Sequence, residues 1–180
     1  MTDASLVESL VRKIELAFPT HPVPEPAEIY TEDDEAESYL PEVAARTWPE
    51  LRFENDLEAS ARLGFMRSRS FAYYLPAYLK TAIIVSECPG VIHALQQYLY
   101  PPTSVFDRKL TGFPSGEGAH SGFDERVESL TTEQKHIVAC VFKFLEMKAD
   151  GEGVLQLGFL PSFKEAVDKY WHKYVNQDRS

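Results

Sequence analysis

A proline in the middle of an aromatic helix pattern is the feature of this sequence that most constrains its fold. The block Phe71–Leu79 (FAYYLPAYL) places three tyrosines around Pro76. A proline inside a helix removes one backbone N–H donor, and its ring clashes with the carbonyl four residues earlier, here that of Ala72. We therefore predict a helix that is kinked or restarted at Pro76, with aromatic side chains packed around that point.

Helical spacing places most of the large side chains of this segment on one face. That face consists of Phe71, Tyr74, Leu75, Tyr78, Ala82 and Val85. Such a stripe is typical of a core helix in which buried tyrosine hydroxyls find hydrogen-bond partners. The carbonyl of Ala72, released by Pro76, is one expected acceptor. The alternative is a ligand pocket at the kink, lined by Tyr73, Tyr74 and Tyr78.

Length and composition are those of one globular domain. The chain has 180 residues, of which 44% are hydrophobic and 26% are charged, and we expect a single domain over residues 1–180. Cys88 and Cys140 are far apart and no secretory signal is recognisable, so we expect reduced thiols in a cytoplasmic protein. No apolar run approaches the roughly 20 residues of a membrane span, so we expect no membrane association.

Capping signals and apolar spacing predict helices along almost the whole chain. Thr131 and Gln134 form a capping box in front of an apolar helix. Gly64 is expected to end a short helix that begins at Phe53. Residues 154–160 are the one marginal candidate for a strand. The predicted fold is mostly α, a single-domain irregular bundle of about seven helices with little or no sheet.

Two segments interrupt the predicted bundle, and we place both inside the single domain. Residues 19–31 contain four prolines, which predict an extended Pro-rich linker. Residues 102–122 contain four of the nine glycines together with Pro114 and small hydroxyl side chains. This composition predicts a long mobile loop.

Negative charge is concentrated in one part of the sequence. The net charge is −10, and residues 25–58 alone hold twelve acids against two bases. The densest run consists of Glu32, Asp33, Asp34, Glu35 and Glu37. Such a stretch repels nucleic acid and attracts basic surfaces. It is either a solvated face, an intramolecular partner for Arg62, Arg67 and Arg69, or a docking face for a basic partner.

The other chemistry-bearing residues form no catalytic or metal motif. No two of the five histidines are three or four residues apart, so the helical zinc motif HExxH is missing. His120 and Asp124 have this spacing, but across a predicted loop, and His136 is expected to be partly exposed. Cys88 and Cys140 are interpreted as inert small residues. We therefore predict no catalytic residue, no metal and no cofactor.

Several motifs recur in an order that carries a family resemblance. They are Ile14–Pro19, Thr47–Leu51 after the acidic stretch, the block Phe71–Leu79, and Leu130–Gln134 at the start of an apolar helix. Over about residues 8–147 the chain resembles a family of small bacterial proteins known only as a domain of unknown function. The resemblance implies a bacterial source and one continuous domain. It implies no activity, and no functional residue is carried over from it.

The sequence favours an interaction protein over an enzyme. The leading hypothesis is a non-catalytic accessory protein that binds a basic protein through its acidic region, residues 25–58. The residues assigned to that contact are Glu32, Asp33, Asp34, Glu35 and Glu37. The alternative is an enzyme or small-ligand-binding protein that uses the tyrosine-lined pocket around Pro76. The oligomeric state and the identity of any partner or ligand do not follow from the sequence.

Overall fold

The structure is a computed structural model that describes residues 3–30, 34–53, 56–85, 88–101, 118–152 and 162–175. These residues are mostly helical and form no strand, which confirms the predicted class and the predicted single bundle. The helices are α1 (Asp3–Ala17), α2 (Pro26–Ile29), α3 (Asp34–Ser38), α4 (Leu40–Val43), α5 (Asp56–Phe65), α6 (Ser68–Ile84), α7 (Pro89–Tyr98), α8 (Gly118–Glu128), α9 (Thr132–Glu152) and α10. Helix α10 joins an α-helical segment (Phe163–Ala166), a π-helical segment (Val167–Trp171) and an α-helical segment (His172–Val175).

Helix α6 lies at the centre of the bundle. Seven elements pack against it: α1, α2, α5, α7, α8, α9 and a 3-10 turn at Trp48–Glu50. Its sequence explains this position, because Phe71, Leu75 and Leu79 recur at helical spacing and are fully buried. The helix continues without interruption through Pro76, so the chain does not restart there. Burial on several sides offsets the hydrogen bond that the proline removes.

Helix α1 is held between α6 and α9. Its buried face contains Leu10 and Ile14, as the spacing of its apolar residues requires. At the edge of the contact with α6, the Nζ atom of Lys80 lies 2.6 Å from a carboxylate oxygen of Glu15. On the other side, the side-chain amide of Gln134 in α9 donates to the carbonyl of Ala17 over 3.1 Å.

The segment between α1 and α5 consists of one-turn helices and turns. The predicted linker, residues 19–31, has no regular structure over residues 19–25 and then enters α2, while Thr31 lies outside the described residues. Thr47 precedes the 3-10 turn, and its backbone N–H donates to a carboxylate oxygen of Glu50 over 2.6 Å. The one-turn helices of this segment raise the number of helices above the predicted seven.

Gly64 does not end α5, contrary to the expectation from the sequence. The helix runs from Asp56 through Gly64 to Phe65, and the predicted start at Phe53 is therefore also wrong. A Cβ atom added at Gly64 would lie 2.5 Å from Cζ of Tyr98 in α7, and closer still to the hydroxyl oxygen. The glycine is needed because α5 and α7 pack closely at this point.

The second half of the bundle begins with α8, which starts at Gly118. Residues 118–122 of the predicted loop are therefore helical, and residues 102–117 lie outside the described residues. The capping box in front of α9 is confirmed: the N–H of Gln134 donates to the Thr131 hydroxyl over 3.2 Å, and the N–H of Thr131 donates to the Gln134 side chain over 3.0 Å.

The last helix, α10, closes the core against α9 with aromatic side chains. Trp171 is fully buried, its ring contacts Phe142 of α9, and its indole N–H donates to the carbonyl of Leu99 over 2.9 Å. A capping box at Ser162 starts the helix, with the N–H of Glu165 donating to the serine hydroxyl over 3.1 Å. Residues 154–160, the candidate strand, lie outside the described residues.

Candidate functional site

The tyrosines of the block Phe71–Leu79 donate hydrogen bonds to the backbone of surrounding elements. The hydroxyl of Tyr78 lies 3.0 Å from the carbonyl oxygen of Ala59 in α5, and Tyr78 is fully buried. The hydroxyl of Tyr74 lies 3.1 Å from the carbonyl oxygen of Val43, and this residue too is fully buried. These two side chains are core residues whose hydroxyls are both engaged, so neither hydroxyl is left to orient a ligand.

Tyr73 differs from the other two because its side chain is only half-buried. Its hydroxyl donates to the carbonyl of Thr20 over 2.7 Å, which holds the segment after α1 against α6. Its ring meets the ring of Tyr74 edge-on, with centroids 4.8 Å apart. We expected a tyrosine hydroxyl to donate to the carbonyl of Ala72. Instead, the hydroxyls of Tyr73, Tyr74 and Tyr78 all donate to carbonyls outside α6.

Burial keeps these tyrosines in their neutral form. Desolvation raises the pKa of Tyr74 to about 12. The same cause raises the pKa of Tyr78 well above its ordinary value, and raises that of Tyr73. A phenol with a raised pKa is a poorer acid near neutral pH, so these hydroxyls act as hydrogen-bond donors and not as proton-transfer groups.

A fourth hydroxyl of α6 completes this pattern. The fully buried Ser70 donates to the carbonyl of Glu28 over 2.7 Å. Next to it, the N–H of Arg67 donates to the carbonyl of Ile29 over 3.0 Å, and its Nε donates to the carbonyl of Tyr30 over 2.7 Å. We call the hydroxyls of Ser70, Tyr73, Tyr74 and Tyr78 the α6 hydroxyl row. Three of them, Ser70, Tyr73 and Tyr74, attach the irregular chain between α1 and α5 to the core.

The acidic region is partly described, and its described carboxylates face solvent. Glu25, Glu28 and Glu37 are exposed. Of the predicted contact residues, Glu32 and Asp33 lie outside the described residues, while Asp34 and Glu35 are described only as part of the α3 backbone. The carbonyl of Glu28 is bonded to Ser70 of the α6 hydroxyl row, so Glu28 projects from an anchored backbone.

Part of the acidic charge is paired within the molecule. An Nη atom of Arg62 lies 2.8 Å from a carboxylate oxygen of Glu42, and the Arg62 side chain is only 7% exposed. This contact confirms the intramolecular interpretation for Arg62. Arg67 donates to backbone carbonyls, and Arg69 is exposed. Glu50 is also engaged, because the Thr47 hydroxyl and N–H donate to it and lower its pKa.

The structure brings a histidine and a cysteine of α9 into contact. His136 and Cys140 lie one turn apart on α9, with Nε2 of the imidazole 3.5 Å from Sγ. Nδ1 of His136 lies 2.6 Å from the carbonyl oxygen of Tyr174 in α10. His136 is 7% exposed, so the prediction of a partly exposed side chain was wrong. The spacing H-x-x-x-C was visible in the sequence, but Tyr174 is too distant in the chain to be found there.

Other polar residues form no candidate site in the described part of the chain. No group of three histidine, cysteine or acidic side chains among the described residues could hold a metal ion. His120 and Asp124 both belong to α8, so they are not separated by a loop as the sequence suggested. Cys88 is buried at the residue before α7. Within the described residues, no helix is long and apolar enough to cross a membrane.

These observations define a helical bundle in which the hydroxyls of the tyrosine block donate to backbone carbonyls and the described carboxylates Glu25, Glu28 and Glu37 are exposed. The chain belongs to DUF6714, a family of unknown function whose model matches residues 25–175. This match extends to α10 and begins after α1, whereas the resemblance drawn from the sequence covered residues 8–147. No curated protein and no solved structure shows significant similarity to the chain.

Proposed function

We propose that this protein is a non-catalytic interaction protein that binds a basic partner through its acidic region, residues 25–58. The observation that carries the proposal is the concentration of the whole net charge of −10 in this region. A field of one sign on one face of a small protein attracts complementary surfaces and speeds their association. Mutual repulsion among these carboxylates is relieved when a cationic surface covers them.

The way the region is held supports a role in recognition. Ile29 and Val43 are fully buried beneath it, and Ser70 and Tyr74 of the α6 hydroxyl row bond to its backbone. Binding to an ordered surface loses less conformational entropy than binding to a flexible acidic tail. The exposed carboxylate of Glu37 stands on the short helix α3 in the same region.

The hydrogen bonds of the tyrosine block do not favour the pocket hypothesis. It required polar groups of Tyr73, Tyr74 and Tyr78 to face a cleft, and the hydroxyls of all three donate to backbone carbonyls. The two fully buried residues, Tyr74 and Tyr78, have no exposed surface with which to meet a ligand. A bacterial, cytoplasmic setting with reduced thiols forms part of the proposal, as the family resemblance and the sparse cysteines indicate.

The test compares two triple charge reversals in the full chain. The first, E25K/E28K/E37K, changes exposed carboxylates of the acidic region. The matched control, E8K/E128K/E133K, changes three exposed carboxylates elsewhere and gives the same net charge. Each protein is immobilised, exposed to a lysate at physiological salt, and its retained proteins are quantified by mass spectrometry. A retained candidate is then purified and its association rate is measured at several salt concentrations.

The proposal predicts a basic protein that the wild type and the control retain and the first variant loses. With purified components, E25K/E28K/E37K should slow association by roughly 10-fold or more at low salt, and high salt should remove the difference. Equal retention by both variants would refute the proposal, since these three carboxylates would then have no special role in binding. Absence of any basic protein bound to the wild type would refute it as well.

A further inference from the structure

Helices α9 and α10 bring together a thiol, an imidazole and a backbone carbonyl, with the imidazole in contact with both other groups. Sγ of Cys140 lies 3.5 Å from Nε2 of His136, and Nδ1 of the same ring lies 2.6 Å from the carbonyl oxygen of Tyr174. The histidine is buried, while the cysteine at the edge of the buried face of α9 is half-buried. The thiol is therefore less enclosed than the base next to it.

The carbonyl of Tyr174 determines which nitrogen of His136 carries the proton. A carbonyl oxygen can only accept a hydrogen bond, so Nδ1 must carry its hydrogen. In the neutral ring Nε2 then has the free lone pair and accepts the S–H of Cys140. Transfer of this proton gives a thiolate and an imidazolium, and the carbonyl of Tyr174 accepts the Nδ1–H in both states. Nucleophile, base and orienting group are thus arranged as in activated cysteine sites.

We propose that Cys140 is a thiolation site that reacts with low-molecular-weight disulfides, with His136 as its base. His136 takes the thiol proton, and the Cys140 thiolate attacks one sulfur of the disulfide. A new S–S bond forms as the original S–S bond breaks, and the second half of the disulfide departs as a thiolate. That thiolate takes the proton from the His136 imidazolium, so the products are a mixed disulfide on Cys140 and one free thiol.

The position of Cys140 within α9 favours attack on sulfur over acyl transfer. An acyl intermediate needs N–H donors for its oxyanion. The backbone N–H groups around Cys140 lie inside the helix Thr132–Glu152, where they donate to carbonyls four residues earlier. Disulfide exchange needs no such donors because the negative charge leaves with the departing sulfur. A half-buried thiol beside an imidazole satisfies its requirements.

The proposal predicts a difference in rate that changes sign with pH. A base beside Cys140 raises the fraction of thiolate at low pH, where an unassisted thiol is protonated, and a less basic thiolate is a weaker nucleophile. Cys140 should therefore react several-fold faster near pH 6 than it does in H136Q. Near pH 9 an unassisted thiol is ionised too, so the wild type should react several-fold more slowly than H136Q.

The experiment treats the full chain with oxidised glutathione and follows the mixed disulfide by intact mass and peptide mapping. H136Q is the matched variant, because a glutamine N–H can still donate to the carbonyl of Tyr174 while the base is lost. C140S identifies the modified residue, and the buried Cys88 is an internal reference. Circular dichroism and thermal unfolding establish that each variant is folded.

The helices that pack together here carry other charged side chains. They are Lys143 and Glu146 on α9, Lys13 on α1, and Asp168, His172 and Lys173 on α10. H136Q leaves all of them in place, so the comparison with the wild type reports the imidazole alone. A purely structural histidine would change the unfolding temperature without reversing the order of the two rates.

Faster modification of wild-type Cys140 near pH 6, with the reverse order near pH 9, supports the proposal. Identical profiles for the wild type and H136Q would overturn it. If H136Q does not fold, the wild type is compared with itself in concentrated urea, where the pair is broken. The native chain must then react faster at Cys140 near pH 6 than the unfolded chain, and equal or slower reaction of the native chain overturns the proposal.

Discussion

Replacement of Tyr78 by phenylalanine tests the structural role of the tyrosine block. Y78F keeps the ring but removes the hydroxyl that donates to the carbonyl of Ala59 over 3.0 Å. Because the side chain is fully buried, no water replaces this donor without a rearrangement of the core. We expect the free energy of unfolding near pH 7 to fall by about 1 kcal/mol, the usual net contribution of such a bond.

The same substitution should stabilise the protein in alkali. Burial raises the pKa of Tyr78 well above its ordinary value. In the unfolded chain a tyrosine ionises near pH 10. Above this pH, ionisation of Tyr78 therefore stabilises the unfolded wild type but not the folded wild type. The stability that the protonated Tyr78 hydroxyl contributes to the fold is therefore complete below about pH 10. It is lost as the pH rises toward the pKa of Tyr78 in the folded state.

The size of this loss determines where the two proteins become equally stable. One tyrosine that ionises only in the unfolded state lowers the free energy of unfolding by about 1.4 kcal/mol at about pH 11. Y78F has no such group at this position, so its deficit of about 1 kcal/mol should vanish near about pH 10.7 and reverse above it. The Tyr78 hydroxyl is therefore expected to stabilise the fold at neutral pH and destabilise it in alkali.

The assay is urea unfolding followed by circular dichroism, for both proteins at about pH 7, 10 and 11. Ile83→Val is the matched control, because Ile83 is buried in the same helix and has no titrating group. Its deficit of about 1 kcal/mol should not depend on pH. A deficit of Y78F that stays constant up to about pH 11 would refute the reasoning, since the folded and unfolded hydroxyls would then ionise alike.

Three further substitutions test the packing around the central helix. Gly64→Ala should lower the free energy of unfolding by roughly 1 to 2 kcal/mol because the added methyl group overlaps Tyr98. In a Tyr98→Ala background the same change should be neutral or stabilising, since alanine favours helices. Ser70→Ala should lower it by about 1 kcal/mol in urea unfolding, since the carbonyl of Glu28 loses its buried donor, and an unchanged midpoint would contradict this. Trp171→Phe should lower it by roughly 2 to 3 kcal/mol, and a smaller loss than for Ser70→Ala would show that the indole hydrogen bond and its packing contribute little.

The sequence was sufficient for features that depend on local spacing. The capping box at Thr131 and Gln134 formed as predicted because its partners are three residues apart. Five of the six residues of the predicted apolar stripe are buried for the same reason, whereas Val85 lies beyond the end of α6 and is exposed. A prediction failed where one local sequence feature is compatible with two structural roles. Gly64 was interpreted as a helix end, but its lack of a side chain serves the contact with Tyr98.

The candidate sites depended on contacts that no local pattern contains. His136 was expected to be partly exposed because it lies near the start of α9, yet α10 covers it and Tyr174 accepts its hydrogen bond. The acidic region was found from composition alone, and the structure added which of its carboxylates are exposed and which one pairs with Arg62. The sequence therefore showed where negative charge is concentrated along the chain, but not how the carboxylates are arranged in the fold.

For the block Phe71–Leu79, the sequence by itself determined a helical segment with most of its large side chains on one face, and the structure showed that the helix continues through Pro76. Tertiary structure decided where the hydroxyls go: to carbonyls of the chain between α1 and α5 and of α5 itself, and not to that of Ala72. The physical reason is that helical periodicity is a property of residues three or four apart. Hydrogen-bond acceptors are instead chosen by whichever backbone the folded chain brings within about 3 Å.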